Sequence, residues 1–228
     1  MRPVAETIDK LQGETQCSYG YLLPCLVSLR QKLRRISNDG NLVCCQPVAE
    51  GLLSSIERRF NDFFNIQGNG CFAAIAAIIH PKFKTQWIGC LNDIAQSEVY
   101  KAVMHAARIE SRIQSITASN QNVNDDFFDF GDERNNSVSS LVTFENSDAE
   151  MEVRRYIYEP CTDNIFAINA YPIVKKLFIK YNTPIPSSAP VERLFSYATM
   201  HNLPRYNRLT DENFERRVLT ASNIKQKW

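Results

Sequence analysis

The strongest constraint on what this chain can fold into is a recurrence of apolar residues at every third or fourth position, in one segment after another. Between Tyr19 and Ile36 the stripe is Leu22, Leu26, Leu29, Leu33 and Ile36, with Arg30, Lys32, Arg34 and Arg35 falling among its members. That period turns one face of a helix toward a core. Pro24 fits the first turn, where its missing N–H is not needed, and Asn38-Asp39-Gly40-Asn41 stops the helix. A second stripe, Val48, Leu52, Ile56, Phe60 and Phe63, opens after Pro47 and closes at Gly68-Asn69-Gly70. The short run from Cys71 to Ile79 is apolar on every side, the pattern of a buried helix. Pro81 ends it, and Phe83, Trp87 and Leu91 carry the core past the turn. A more polar helix follows from Asp93 to Ile116, with Val99, Val103, Ala106, Ile109, Ile113 and Ile116 on one side. No strand alternation or hairpin dipeptide interrupts the series. The expected fold class is all-α or nearly so.

At 228 residues and 44% apolar content the chain can bury a sizeable core. No apolar run approaches the roughly 18 residues of a membrane span, and residues 1–20 lack the charged-then-apolar design of a signal peptide. A soluble, intracellular chain with no membrane partner is expected. The seven cysteines are odd in number and irregularly spaced, with no CxxC, and His80, His105 and His201 lie far apart. Zinc sites want Cys or His paired at short spacing. The cysteines therefore read as buried free thiols, and no metal, other cofactor or small-molecule substrate is expected.

Charge divides the chain into a helical region at 1–119, an acidic flexible linker at 120–150 and a basic C-terminal region at 151–228. Residues 121–150 carry eight acids against one base, Arg134, whereas residues 170–228 carry ten bases against four acids. Such an asymmetry suits either nucleic-acid contact or two solvated surfaces. The linker also holds Phe127, Phe128 and Phe130 among its aspartates, which suits a short partner-docking motif as well as a plain spacer.

Beyond the linker, a short helix is expected over Glu150 to Tyr158. Asn169 is then placed to cap a helix begun by Pro172 and striped with Tyr171, Val174, Leu177, Phe178 and Tyr181. Thr183 to Ser188 is extended by its prolines. Pro190 opens a further helix to Met200, with Val191, Leu194, Phe195 and Ala198 inward, and Pro204 breaks it. Thr210 or Asp211 caps the last, whose apolar face is Phe214, Val218, Ala221 and Ile224.

The stretch YPIVKKLFIKYNTPIPSSAPVERLFS, followed by PRYNRLTDENFE, resembles the C-terminal region of hAT-superfamily DNA transposases and of host proteins derived from them, including those with BED-type zinc fingers. Upstream, YGYLLPCLVSLRQKL, EGLLSSIERRF and HPKFK at 80–84 follow collinearly. The resemblance implies a helical array like the C-terminal part of an RNase H-like transposase, with 151–228 as a dimerisation-like domain. In that family the region also completes a core in which three carboxylates hold two divalent metals. The position of the third acid falls on Glu192, in the first turn of its helix, where the free N–H groups favour a carboxylate in any case. The central strands that would carry the partner acids are absent, and Asp125, Asp126, Asp129 and Asp132 lie in the linker. No BED-type zinc finger spacing is present. Glu192 is thus expected to be a vestige and the chain not to be an enzyme.

What the resemblance implies instead is protein dimerisation, with this chain or another hAT-derived protein as partner and the nucleus as location; a cytoplasmic location is the other reading. The expected interaction residues are Tyr171, Val174, Leu177, Phe178, Leu194, Phe195, Phe214 and Val218, with packing onto the N-terminal helices as their alternative fate. Two further functions stay open. One is non-catalytic DNA or chromatin binding through Arg193, Arg205, Arg208, Arg216 and Arg217; the other is a transposase subunit whose Glu192 completes an active site in trans.

Overall fold

In the computed structural model, which describes residues 2–13, 17–38, 46–121, 138–201 and 209–225, every regular element is helical. The elements are α1 (Arg2–Leu11), α2 (Leu22–Ser37), α3 (Gln46–Arg59), α4 (Asn61–Phe64) and α5 (Asn69–Ile78). They continue with α6 (Asp93–Gln121), α7 (Val138–Tyr158), α8 (Pro172–Asn182), α9 (Ala189–His201) and α10 (Asp211–Lys225). Among the described residues no helix is long and apolar enough to cross a membrane.

The all-apolar run from Cys71 is the hub of the core. Ala73 through Ile79 are almost wholly buried, and α5 packs against α2, α4, α6 and α8. Its small residues let neighbouring backbone come close. Gly70 lies so near α4 that a Cβ there would stand 2.4 Å from the Asp62 carbonyl oxygen. The turn between α4 and α5 holds Ile66 at φ 57, unusual for a β-branched side chain, and Gly68 at φ 49. Ile66 is buried in the core, which holds the turn in that shape.

The core does not divide where the charge does. Leu23 and Val27 of α2, Val99 and Val103 of α6, Val153 and Tyr156 of α7 and Val174 and Leu177 of α8 share one cluster. Two expectations are corrected here. The linker of 120–150 is in part helix, because α7 begins at Val138; Ala149 is buried and Glu150 pairs with Arg108 of α6. Local polarity did not exclude a helix that has a neighbour to pack on. In α6, Ile109 and Ile113 face outward, and the buried ridge runs instead through Ala95, Val99, Val103, Ala106 and Ala107. Asp125, Asp126, Asp129, Asp132 and the phenylalanines at 127, 128 and 130 lie outside the described residues.

Two polar devices place α8. At its start the N-cap is Tyr171 rather than Asn169, and no side chain of its own segment caps it. The Glu152 carboxylate of α7 does so from a distance in sequence, accepting the N–H groups of Ile173 at 2.7 Å and Val174 at 3.0 Å. These are donors that helix geometry leaves open. At its end the buried Asn182 accepts from Ser18 Oγ and from the Gly20 N–H, each at 2.9 Å, and donates to the Ala76 carbonyl at 3.1 Å. Gly20 is pressed between these partners, 2.5 Å from Asn182 Oδ1 and 2.7 Å from the Ala76 oxygen if it carried a Cβ.

The turn after α5 is equally polar and buried. Lys84, at φ 41 and only 2% exposed, donates from Nζ to the carbonyls of Tyr156 at 2.8 Å and Glu159 at 3.1 Å. Its ammonium also lies over the Tyr156 ring, 4.2 Å from the centroid. The Tyr156 hydroxyl donates in return to the Ile79 carbonyl at 2.8 Å. His80 packs among Tyr21, Phe83 and Phe178, and its Nδ1 accepts the Lys82 N–H at 3.2 Å. Burial, reinforced by the charge of Lys82, pushes the imidazole down to about 4.

Replacing Gly20 with alanine forces a methyl into backbone and a buried amide, and is expected to lower stability by about 3 kcal/mol. Gly51→Ala, where an added Cβ meets nothing within 4 Å, should raise it by roughly 0.5–1 kcal/mol. Urea unfolding of both variants checks the contrast. His80 stays neutral in the folded chain while the unfolded chain takes up a proton below pH ~6.5. Stability should therefore fall as pH drops through that value toward about 4, by about 2 kcal/mol between pH 7 and pH 5. His80→Gln should flatten that slope in urea titrations at the two pH values.

Candidate interaction surface

Helix α9 starts at a serine-rich elbow. Ser188 donates through Oγ to Glu192 Oε1 at 2.5 Å, and its carbonyl accepts the Glu192 N–H at 3.0 Å. The Ser187 hydroxyl accepts the Ala189 N–H at 3.1 Å. These contacts close the first turn, whose N–H groups otherwise lack partners. Glu192 is exposed and engaged with its own helix start. Among the described residues no group of three or more His, Cys, Asp or Glu stands ready to hold a metal.

One turn further on, Arg193 is half-buried and donates from Nη2 to the Gln12 carbonyl at 3.0 Å, tying α9 to the end of α1. Arg216 and Arg217 are exposed on α10, whereas Arg205 and Arg208 lie outside the described residues. On α8, Lys175 and Lys176 are exposed and Lys180 pairs with Glu110 at 3.5 Å.

Helix α10 starts at Thr210, whose Oγ1 accepts the Asn213 N–H at 3.4 Å. It packs on α9, burying Val218 and half-burying Phe214 and Ala221. Leu194 and Ala198 are half-buried on the α9 side.

The eight residues expected to form an interaction face therefore separate. Tyr171, Val174 and Leu177 are fully inside, in the core with α5 and α7, and Phe178 packs against its edge. They cannot meet a partner without unfolding α8. Helix α8 found apolar neighbours within the chain on three sides, so its stripe is closed off. Val218 is likewise covered within the chain. Only Phe195 among the eight is freely exposed, at 65%. Its neighbour one turn back, Val191, was expected inward and is 46% exposed, since among the described residues α9 packs chiefly on α10. Met200 at 61% and Leu219 at 46% add to the apolar surface of this helix pair. Sequence periodicity identifies this stripe but not whether a neighbour covers it.

Comparison of the sequence with protein-family models, with curated proteins and with solved structures finds no match.

If Glu192 serves only its helix start, Glu192→Gln should cost no more than about 1 kcal/mol, as for loss of a charged group near a helix N-terminus. Thermal unfolding in low and high salt checks this, the wild-type advantage shrinking as salt rises.

Proposed function

We propose that this chain is a transposase-derived protein with no catalysis of its own, acting by self-association through the outer face of α9 and α10. The observation that carries the reading is the exposure of Val191 and Phe195, one turn apart on the same face of α9, together with that of Leu219 on α10, which packs against α9. Singly exposed apolar groups are ordinary; several large ones on one short helix pair suit a surface that meets a partner. A twofold contact sets the same patch against itself. Glu192, Asp211, Glu212 and Glu215 on this pair balance Arg193, Arg216, Arg217 and Lys225, which lets the patch face its own copy without like-charge conflict.

The resemblance of residues 151–228 to the hAT dimerisation region supports the same reading, and with it a nuclear location and a second hAT-derived protein as the alternative partner. The inactive reading is supported by Glu192, which bonds to Ser188 and belongs, among the described residues, to no group of three or more acids, where a two-metal site needs several held together. The non-catalytic nucleic-acid reading draws on Arg216 and Arg217 of α10 and Lys175 and Lys176 of α8, exposed cations on two separate helices.

Sedimentation equilibrium at micromolar concentration should give a dimer for the wild type. Phe195→Glu should weaken it at least about ten-fold while circular dichroism stays unchanged, because the side chain is exposed within one chain and desolvated in the pair. A strictly monomeric wild type removes the proposal.

A further inference from the structure

A cleft of about 440 Å³ lies between α1, α2 and the segment that follows the His80 turn. Four cations line it, Lys10, Lys32, Arg35 and Lys82, against one carboxylate, Glu6. That carboxylate is already engaged by Arg2 and Lys32. Lys82 is held by Asp163 at 2.7 Å, while among the described residues no ion pair takes Lys10 or Arg35. Lys10 and Lys32 stand near enough to the Cys25 thiol to offset part of the rise that burial gives it, so these charges converge on the cleft wall. Tyr21, Phe83 and Trp87 give the lining an aromatic side, and the buried Trp87 indole N–H has no acceptor among the described residues. A cationic rim around an aromatic wall fits a ligand that is both anionic and aromatic.

The chain itself carries a peptide of that chemistry. Residues 124–133 read Asn-Asp-Asp-Phe-Phe-Asp-Phe-Gly-Asp-Glu, five acids around three phenylalanines with no base. We infer that the cleft is a docking site for this acidic, phenylalanine-bearing segment of a second copy of the chain. Covalent reach disfavours docking within one copy. Helix α6 passes the segment beside the cleft, where Tyr100 and Met104 stand against Lys84 and Thr85, and runs on from Met104 about 25 Å to Gln121. Helix α7 returns along α6, with Glu150 against Arg108, so Val138 begins near the far end. The 16 residues from 122 to 137 span at most about 60 Å fully extended, and the journey to the cleft and back takes up about 55 Å of that, which would leave the segment almost fully stretched. A second molecule meets no such limit. This contact is separate from the α9 surface and does not rest on it.

The test is fluorescence anisotropy of a labelled peptide of residues 122–135 titrated with the full-length protein at low salt. Saturable binding is expected, weakened at least about ten-fold by Lys10→Glu with Arg35→Glu, two exposed positions whose replacement leaves the fold intact by circular dichroism. A peptide with serine at 127, 128 and 130, equal in charge, should lose affinity to a similar degree. Phe195→Glu should bind as the wild type does. No binding by the wild type, equal binding by the charge-reversed protein, or equal binding of the serine peptide would each overturn the inference.

Discussion

The fold depends on a buried ammonium group. Lys84 sits where the chain turns out of α5, and its Nζ satisfies the carbonyls of Tyr156 and Glu159 at the end of α7. A charge this deep is tolerated only with partners, and carbonyls at a helix C-terminus are the partners it finds. Tyr156 closes the lock by donating to Ile79, the residue that ends α5. Two helix ends far apart in sequence thus complete each other's hydrogen bonds. The left-handed backbone at Lys84 is held in place by these contacts. The Thr162 N–H, bonded to the Pro81 carbonyl at 3.0 Å, extends the lock to the segment that leads into α8.

From that lock the placement of α8 follows. Glu152, one turn before Tyr156 on α7, reaches the first N–H groups of α8, and Tyr171 bonds through its hydroxyl to Glu159. At the other end Asn182 ties α8 to Gly20 and Ala76. Held at both ends, α8 turns Tyr171, Val174 and Leu177 inward and rests Phe178 and Tyr181 on the edge of the core. That decides which surfaces remain for partners: the helices after the Pro-Ser elbow pack on each other and keep Val191 and Phe195 outside.

The two proposed contact regions differ in physical character. The α9–α10 face is apolar with nearly balanced charge, so association there is driven by burial and is little affected by salt. The cleft beside α1 is cationic with an aromatic wall, so binding there combines screened attraction with aromatic contact. One is suited to pairing like with like, the other to receiving a segment of opposite charge.

Periodicity alone determined that the chain is helical, and the composition of the run from Cys71 marked α5 as the buried center. The cap at Thr210 was also legible, because a cap acts within one turn of chain. Three things were settled only by the tertiary structure. Glu152 replaced Asn169 as the cap of α8, α7 extended into a stretch whose composition is that of a linker, and Tyr171, Val174 and Leu177 among the expected interaction residues went into the core. The cleft cations were unremarkable in sequence because Lys10, Arg35 and Lys82 come from three separate segments. A hydrophobic stripe records that a helix face must leave water, and it does so locally. Whether that face is covered by the same chain or by another depends on which helices are held beside it, and here contacts between residues more than seventy positions apart decide it.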